Sequence, residues 1–388
     1  MTTTLLLLTG IWRGLLMTAG GELPFNLYLE NTSDNYQVYL INGTDSILMD
    51  TPLFRNDSIF IDFPVYETSL HAIIIDHQTL EGVFINFTKQ NDNTIPFSAK
   101  AGLDYRFKIP DQNKLSHDIS GKYDVVFKPG KPDSSYAVGI FNQVEQTVTG
   151  TFMKSTGDYR FLSGSVIGDS LFLSGFDGVF VHLFKCKITN ESINGSFYSG
   201  MNTHRNFIAI RNESAELSDP EAITSIKTEY EEFKFSFPDT DSIMVSLSDK
   251  KFNDKVVVVQ ILGSWCPNCL DESRYLAPYY SKNKSRGLEI IGLAFEKTDD
   301  FIRAANNVNR LMERLDISYP ILVASNRKEI RNTMPELDNF IAFPTTIILD
   351  RRHKVKKVHA GFSGPATGKP YYDYIENFEK TMDKLLNE

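Results

Sequence analysis

The sequence predicts a multidomain chain: an N-terminal all-β, duplicated module, built as a meander or barrel, followed by a C-terminal α/β domain. Three observations carry this. Residues 1 to about 212 are short alternating apolar runs separated by turn signals, with no long 3.6-period segment between them. That region repeats itself at an offset of about 111 residues. Beyond about residue 230, strand-like and helix-like segments alternate, which implies a mixed sheet with helices on both faces.

The 388 residues are 41% hydrophobic and 23% charged, ordinary globular composition for two or three domains. The net charge of −9 is spread along the chain and forms no basic patch, which excludes nucleic acid as an expected partner. Three cysteines do not make a structural disulfide framework. Thr4–Leu8, ahead of Gly10-Ile11-Trp12, reads as a first β-strand. No Lys or Arg precedes it and no small-residue cleavage site follows, as a signal peptide would need. No apolar run reaches about 18 residues, so no transmembrane segment is expected.

The repeat is visible in several places. Gly10-Ile11-Trp12 answers Gly121-Lys122-Tyr123, and Asp57-Ser58-Ile59-Phe60-Ile61 answers Asp169-Ser170-Leu171-Phe172-Leu173. Leu80-Glu81-Gly82-Val83-Phe84 answers Ile193-Asn194-Gly195-Ser196-Phe197. Residues 1–115 are the first copy and 116–212 the second, each with room for six to eight short strands. Such strands suit an up-and-down meander or a small barrel. The module is either a scaffold or a docking surface, since fold does not imply function. His182 and His204 belong to no metal-like cluster and are expected to be satisfied structurally. Cys186 alternates with Phe184 and Ile188 and is expected to face the core as a small hydrophobe.

Residues 213–231 are polar and turn-rich and read as a linker to a domain at 232–388. Phe233–Phe237 with Ile243–Leu247 predict a hairpin. Lys255–Gly263 predicts a central strand, since four consecutive valines leave no polar face. Helices are predicted over Leu270–Lys284, over Asp299–Leu315 with Thr298 as N-cap, over Arg327–Leu337, and over Tyr371–Leu386. Strands are predicted over Leu288–Phe295 and Tyr319–Ala324, with a final hairpin from Pro344–Asp350 and Lys354–Ala360.

The chemistry concentrates in Trp265-Cys266-Pro267-Asn268-Cys269, between the valine strand and the following helix. A thiol at a helix N-terminus meets the positive end of the dipole and free N–H groups, which favour its thiolate. Cys266 is therefore the expected nucleophile, and Cys269, one turn on, the expected resolving thiol. A zinc site would need further ligands, and none stands at suitable spacing.

This arrangement, with Phe343-Pro344-Thr345-Thr346 opening a later strand, resembles the thioredoxin superfamily. The opening hairpin, the W-C-x-x-C motif and the strand-helix insertion at 288–317 are closer to the TlpA/ResA-like thiol-disulfide oxidoreductases of bacterial envelopes. That group overlaps with the AhpC/TSA (redoxin) proteins. The resemblance implies a thioredoxin fold, a cis Pro344, and Trp265, Pro267, Phe343 and Pro344 as substrate-contacting residues. It implies Glu272 as an active-site carboxylate, while Gln260 replaces the buried Asp of thioredoxins. Glu296 is a second carboxylate candidate. Arg274 stands where relatives carry Pro, and His353 where they carry Gly, so His353 is expected at φ > 0. The implied activity is thiol-disulfide exchange with protein disulfides, needing no metal and no cofactor beyond the Cys266/Cys269 pair. A membrane thiol-electron donor and a periplasmic or envelope location are implied as well. The alternative is a thiol peroxidase, against which the missing T-x-x-C arrangement speaks.

Overall fold

The computed structural model describes residues 7–33, 35–110, 117–230 and 233–388. It divides into two compact units. One is Met1–Phe152 with Tyr159–Glu216; the other is Leu217–Glu388 together with the short segment Met153–Asp158.

The first unit holds two sheets with a corresponding strand order. The first copy runs, neighbour by neighbour, through Tyr36–Asn42, Gly21–Asn31, Gly10–Thr18, Thr94–Ala101, Thr79–Asn86, Thr68–Asp76, Ser58–Asp62 and Leu53–Arg55. The second copy repeats that order with Thr147–Lys154, Ser135–Val144, Gly121–Phe127, Thr203–Arg211, Ile193–Ser199, Val181–Ile188, Ser170–Phe176 and Leu162–Ile167. There the ends meet, since Thr147–Gly150 pairs with Leu162–Ser165 and closes a barrel. In the first copy the corresponding end strand, Leu53–Arg55, is only three residues long. Tyr36–Asn42 pairs instead with Asp45–Leu48, and the sheet stays an open half-barrel. Of the expected Thr4–Leu8 strand, residues 4–6 lie outside the described residues. Leu7 and Leu8 are not in a strand: their carbonyls accept from Tyr36 Oη and Trp12 Nε1, and the first strand opens at Gly10.

The barrel core is aromatic. Phe152 stacks on Phe184 with ring centroids 4.6 Å apart, and Phe184 on Phe197 at 4.7 Å. Cys186 is buried in this core as expected, and burial pushes its thiol up. His182 departs from expectation. It stacks on Phe180 and Tyr159, but its buried Nδ1 has no hydrogen-bond partner. Desolvation lowers its pKa to about 3, so it stays neutral and packs as an aromatic ring.

Arg106, between the two copies, links their sheets. Its guanidinium donates to Asn26 Oδ1 and Asn42 Oδ1 at 3.3 and 3.0 Å, and to the Ile41 carbonyl, all in the first copy. It also donates to the Ser174 carbonyl and hydroxyl of the second copy at 2.8 and 3.3 Å. Ser174 Oγ donates back to the Pro24 carbonyl at 2.6 Å.

The second unit is built on a five-stranded sheet ordered Ile321–Asn326, Leu288–Glu296, Val256–Leu262, Thr345–Leu349, Val355–Ala360. The first two contacts are parallel and the last two antiparallel. Every residue of Val256–Leu262 is buried, as the valine run predicts. The longer helices are α1 (Pro267–Asn283), α2 (Phe301–Leu315) and α4 (Lys369–Asn387); α3 (Ile330–Thr333) is a single turn. Phe378, Met382 and Leu385 of α4 are buried, as its periodicity predicts. The helix expected over Arg327–Leu337 stops early, because Pro335 follows and Leu337–Asp338 pairs with Ser225–Ile226 of the expected linker. The N-cap of α2 is Asp300, whose side chain accepts from Arg303 N, and not Thr298, which accepts from Asp300 N.

Candidate dithiol site

The dithiol sits where the central strand Val256–Leu262 gives way to α1. Cys266 is the N-cap of α1, and its Sγ accepts from Cys269 N at 3.3 Å. Pro267 occupies the first helical turn, where a missing N–H costs nothing and its fixed φ already suits the helix. The turn before the helix is held by a carboxylate. Glu296, at the end of the neighbouring strand, accepts from both Ser264 N and Ser264 Oγ at 2.8 Å. Glu296 thus braces the loop that leads into the motif.

The Phe343–Pro344 peptide is cis, as expected, and His353 has φ of +58°. Cys266 Sγ lies 3.4 Å from the Phe343 carbonyl, so the nucleophile and the proline loop face each other. Trp265 closes one side. Its Nε1 donates to the Phe295 carbonyl at 2.9 Å, and its ring meets Phe343 edge-on at 5.4 Å. Lys297 Nζ and Arg327 Cζ lie 4.8 and 5.1 Å from the Trp265 ring centroid, so this side also carries positive charge.

Behind the dithiol, Glu272 is fully buried on α1. One oxygen accepts from Thr346 Oγ1 at 2.6 Å and from Tyr374 Oη at 3.2 Å; the other accepts from Gln260 Nε2 at 2.7 Å. Gln260 in turn accepts from Ser273 Oγ at 3.0 Å. Burial raises the Glu272 pKa to about 6, while its three hydrogen-bond donors hold it down. Cys269 is also fully buried. Burial pushes its thiol well up, the Cys266 sulfur adds to this, and the charge of Glu272 acts in the same direction.

The site residues named from sequence therefore converge, with Glu272 one layer behind the thiols. Thr346 and Tyr374 were not singled out as site residues. Thr346 belongs to the Phe343–Thr346 motif and Tyr374 is half-buried on α4, but neither position shows from sequence that its hydroxyl reaches Glu272. Arg274, half-exposed, pairs with the buried Asp271 at 3.4 Å on α1. Asn268, the remaining residue of the motif, is buried; with its amide turned to match the donors and acceptors around it, it accepts from Asp158 N at 2.7 Å and donates to Asp158 O at 3.2 Å. Nothing local in the sequence announces that pairing.

Residues 228–375 match the Redoxin family model. The thiol-disulfide oxidoreductase ResA of Bacillus thuringiensis subsp. konkukian (strain 97-27) is 26% identical over 121 residues, which cover 31% of this chain and 62% of that protein. ResA of Bacillus subtilis (strain 168) is 27% identical over 141 residues, 36% of this chain and 70% of that protein. The chain thus spans about three fifths of the first relative's length. Among solved structures, a thioredoxin-family thiol:disulfide interchange protein from Chlorobium tepidum TLS is 22% identical, with 37% of this chain and 93% of that one aligned at a TM-score of 0.29. The similarity to redoxins and to ResA thiol-disulfide oxidoreductases is thus confined to the C-terminal part of the chain.

Proposed function

We propose that this chain exchanges disulfides with protein substrates through Cys266 and Cys269, acting as a reductase in the cell envelope. The observation that carries the reading is the facing of Cys266 Sγ and the Phe343 carbonyl at 3.4 Å beside cis Pro344. A substrate segment extended along that loop can pair with its backbone and bring a disulfide onto Cys266. The Cys266 thiolate attacks one substrate sulfur, the substrate disulfide breaks, and the released sulfur leaves as a thiolate that takes a proton. Cys269 must then lose its proton to attack Cys266 Sγ. Its buried thiol resists ionisation. Glu272, with a pKa of about 6, is the group suited to take that proton in the step. The second attack releases the reduced substrate and leaves a Cys266–Cys269 disulfide. The two electrons that reopen it come from an external dithiol donor, for which a membrane thiol-electron carrier is the proposed source. The Cys266/Cys269 pair is then the whole redox cofactor.

The test is reduction of insulin disulfides in the presence of dithiothreitol, run beside hydrogen peroxide consumption. Wild type is expected to reduce insulin, and Cys266→Ser to lose this entirely. Cys269→Ser is expected to accumulate a mixed disulfide with its natural substrate. Peroxide turnover without disulfide reduction, or insulin reduction that survives Cys266→Ser, overturns the reading.

A further inference from the structure

The second unit includes six residues from far upstream, Met153–Asp158, and they lie against the loops that carry the dithiol. Met153 pairs with Asp158 and Lys154 with Gly157, so the segment is a tight hairpin. Three contacts fix it. Asn268, between Cys266 and Cys269, reads the backbone of Asp158 with both ends of its amide. The Asp158 carboxylate accepts from Gly364 N at 2.6 Å, and Met153 Sδ accepts from Ser363 Oγ at 3.3 Å. The backbone of Ser155–Gly157 passes over Gly361, whose N–H donates to the Pro344 carbonyl at 2.8 Å. Two glycines make this approach possible. A Cβ on Gly157 would lie 1.7 Å from the Asn268 amide, and a Cβ on Gly361 would lie 2.7 Å from the Ser155 carbonyl. Both also have positive φ, +129° and +78°.

We propose that the Met153–Asp158 hairpin is a specificity wall of the dithiol site, which restricts Cys266 to disulfides carried on extended, unfolded segments. The inference rests on the thiol-exchange reading above and names its substrate class. The hairpin touches the dithiol motif through Asn268 and the loop that Gly361 ties to Pro344. Trp265 and Phe343 pack edge-on against each other beside Cys266, which is only 6% exposed. What remains open admits a strand along the proline loop and turns away a folded surface.

Two variants test it: Gly157→Val, which drives a branched side chain into Asn268, and Asp158→Ala, which removes the acceptor for Gly364. Tryptic cleavage after Lys154 reports whether the hairpin has opened. With the hairpin open, alkylation of Cys266 by a polyethylene glycol-linked maleimide is expected to rise about tenfold, the scale of steric discrimination in a shaped site. Alkylation by iodoacetamide should change less than about twofold, because a small reagent passes the wall already. The preference for a linear disulfide peptide over a folded disulfide protein should fall in the same proportion. Equal acceleration by both reagents, or an unchanged size preference with Lys154 cleaved, overturns the proposal. So does a Gly157→Val protein still protected at Lys154, which contradicts the close contact. The alkylation arm needs no reductase activity. Size-selective alkylation in a protein that reduces no disulfide would keep the wall and remove the function.

Discussion

Arg106 in the first unit and Glu272 in the second are both buried ions held by neutral hydrogen-bonding groups. Burial acts on both in the same sense, against the charged form, taking Arg106 down to about 9 and Glu272 up to about 6. The outcomes differ because the starting points differ. Arg106 remains a cation throughout the neutral range, so its site is a fixed fastening. Glu272 is brought to where a proton can be gained or lost near neutral pH, so its site can take part in chemistry. Burial of a charge is therefore not itself a mark of function; the distance of the shifted pKa from the working pH is.

The largest effect that would test this contrast is Arg106→Leu. It strands acceptors on Asn26, Ile41, Asn42 and Ser174, and at about 1–3 kcal/mol for each buried group left unsatisfied, the total loss should be at least about 4 kcal/mol. Urea denaturation should show that loss to be nearly the same from about pH 5 to 8, since Arg106 does not titrate there. A loss that varies steeply with pH across that range would break the contrast.

Next comes Glu272→Gln. Folded Glu272 binds its proton more tightly than an ordinary glutamate with a pKa of 4.5. Between about pH 4.5 and 6 the folded state therefore holds more protons than the unfolded one, and stability falls as pH rises through that window. A shift from 4.5 to about 6 corresponds to about 2 kcal/mol. Subtracting the variant's urea-stability profile from that of wild type should reveal this decline. Identical profiles would mean that Glu272 is as fixed in charge as Arg106.

The smallest effect is that of Tyr374→Phe. It removes one 3.2 Å hydrogen bond to the ionised carboxylate, worth about 1 kcal/mol, so the Glu272 pKa should rise further, by somewhat under one unit. The acid limb of the pH–rate profile for insulin reduction should move up by the same amount. A limb that stays in place would assign it to some other group.

Much of the dithiol site was legible because its signals are local. The valine strand, the motif, the helix behind it and the Phe343–Pro344 loop are each written in a few adjacent residues. Glu272 is pointed to by the resemblance to ResA-like proteins, and the helix places it one turn beyond Cys269. The duplication was legible because an offset can be counted. What distinguishes its copies was not: closure depends on Thr147–Gly150 meeting Leu162–Ser165, whereas the first copy offers only the short Leu53–Arg55. Long-range partners were hidden for the same reason. Tyr374 reaches Glu272 across 102 positions, and Asp158 meets Asn268 across more than a hundred. The helix expected over Arg327–Leu337 failed for a different reason. Its apolar spacing is real, but a strand pairing claimed its C-terminal end.

The Arg106 linkage also bears on how the first unit comes to be folded. Its guanidinium needs oxygens from Asn26, Ile41 and Asn42 in one copy and from Ser174 in the other. Neither copy alone can satisfy the cation, so a chain with only one of them formed would have to leave it hydrated or bury it at a large cost. Duplication usually yields modules that fold independently and tolerate separation. Here a single side chain draws its acceptors from both copies, so neither sheet alone completes its hydrogen bonds.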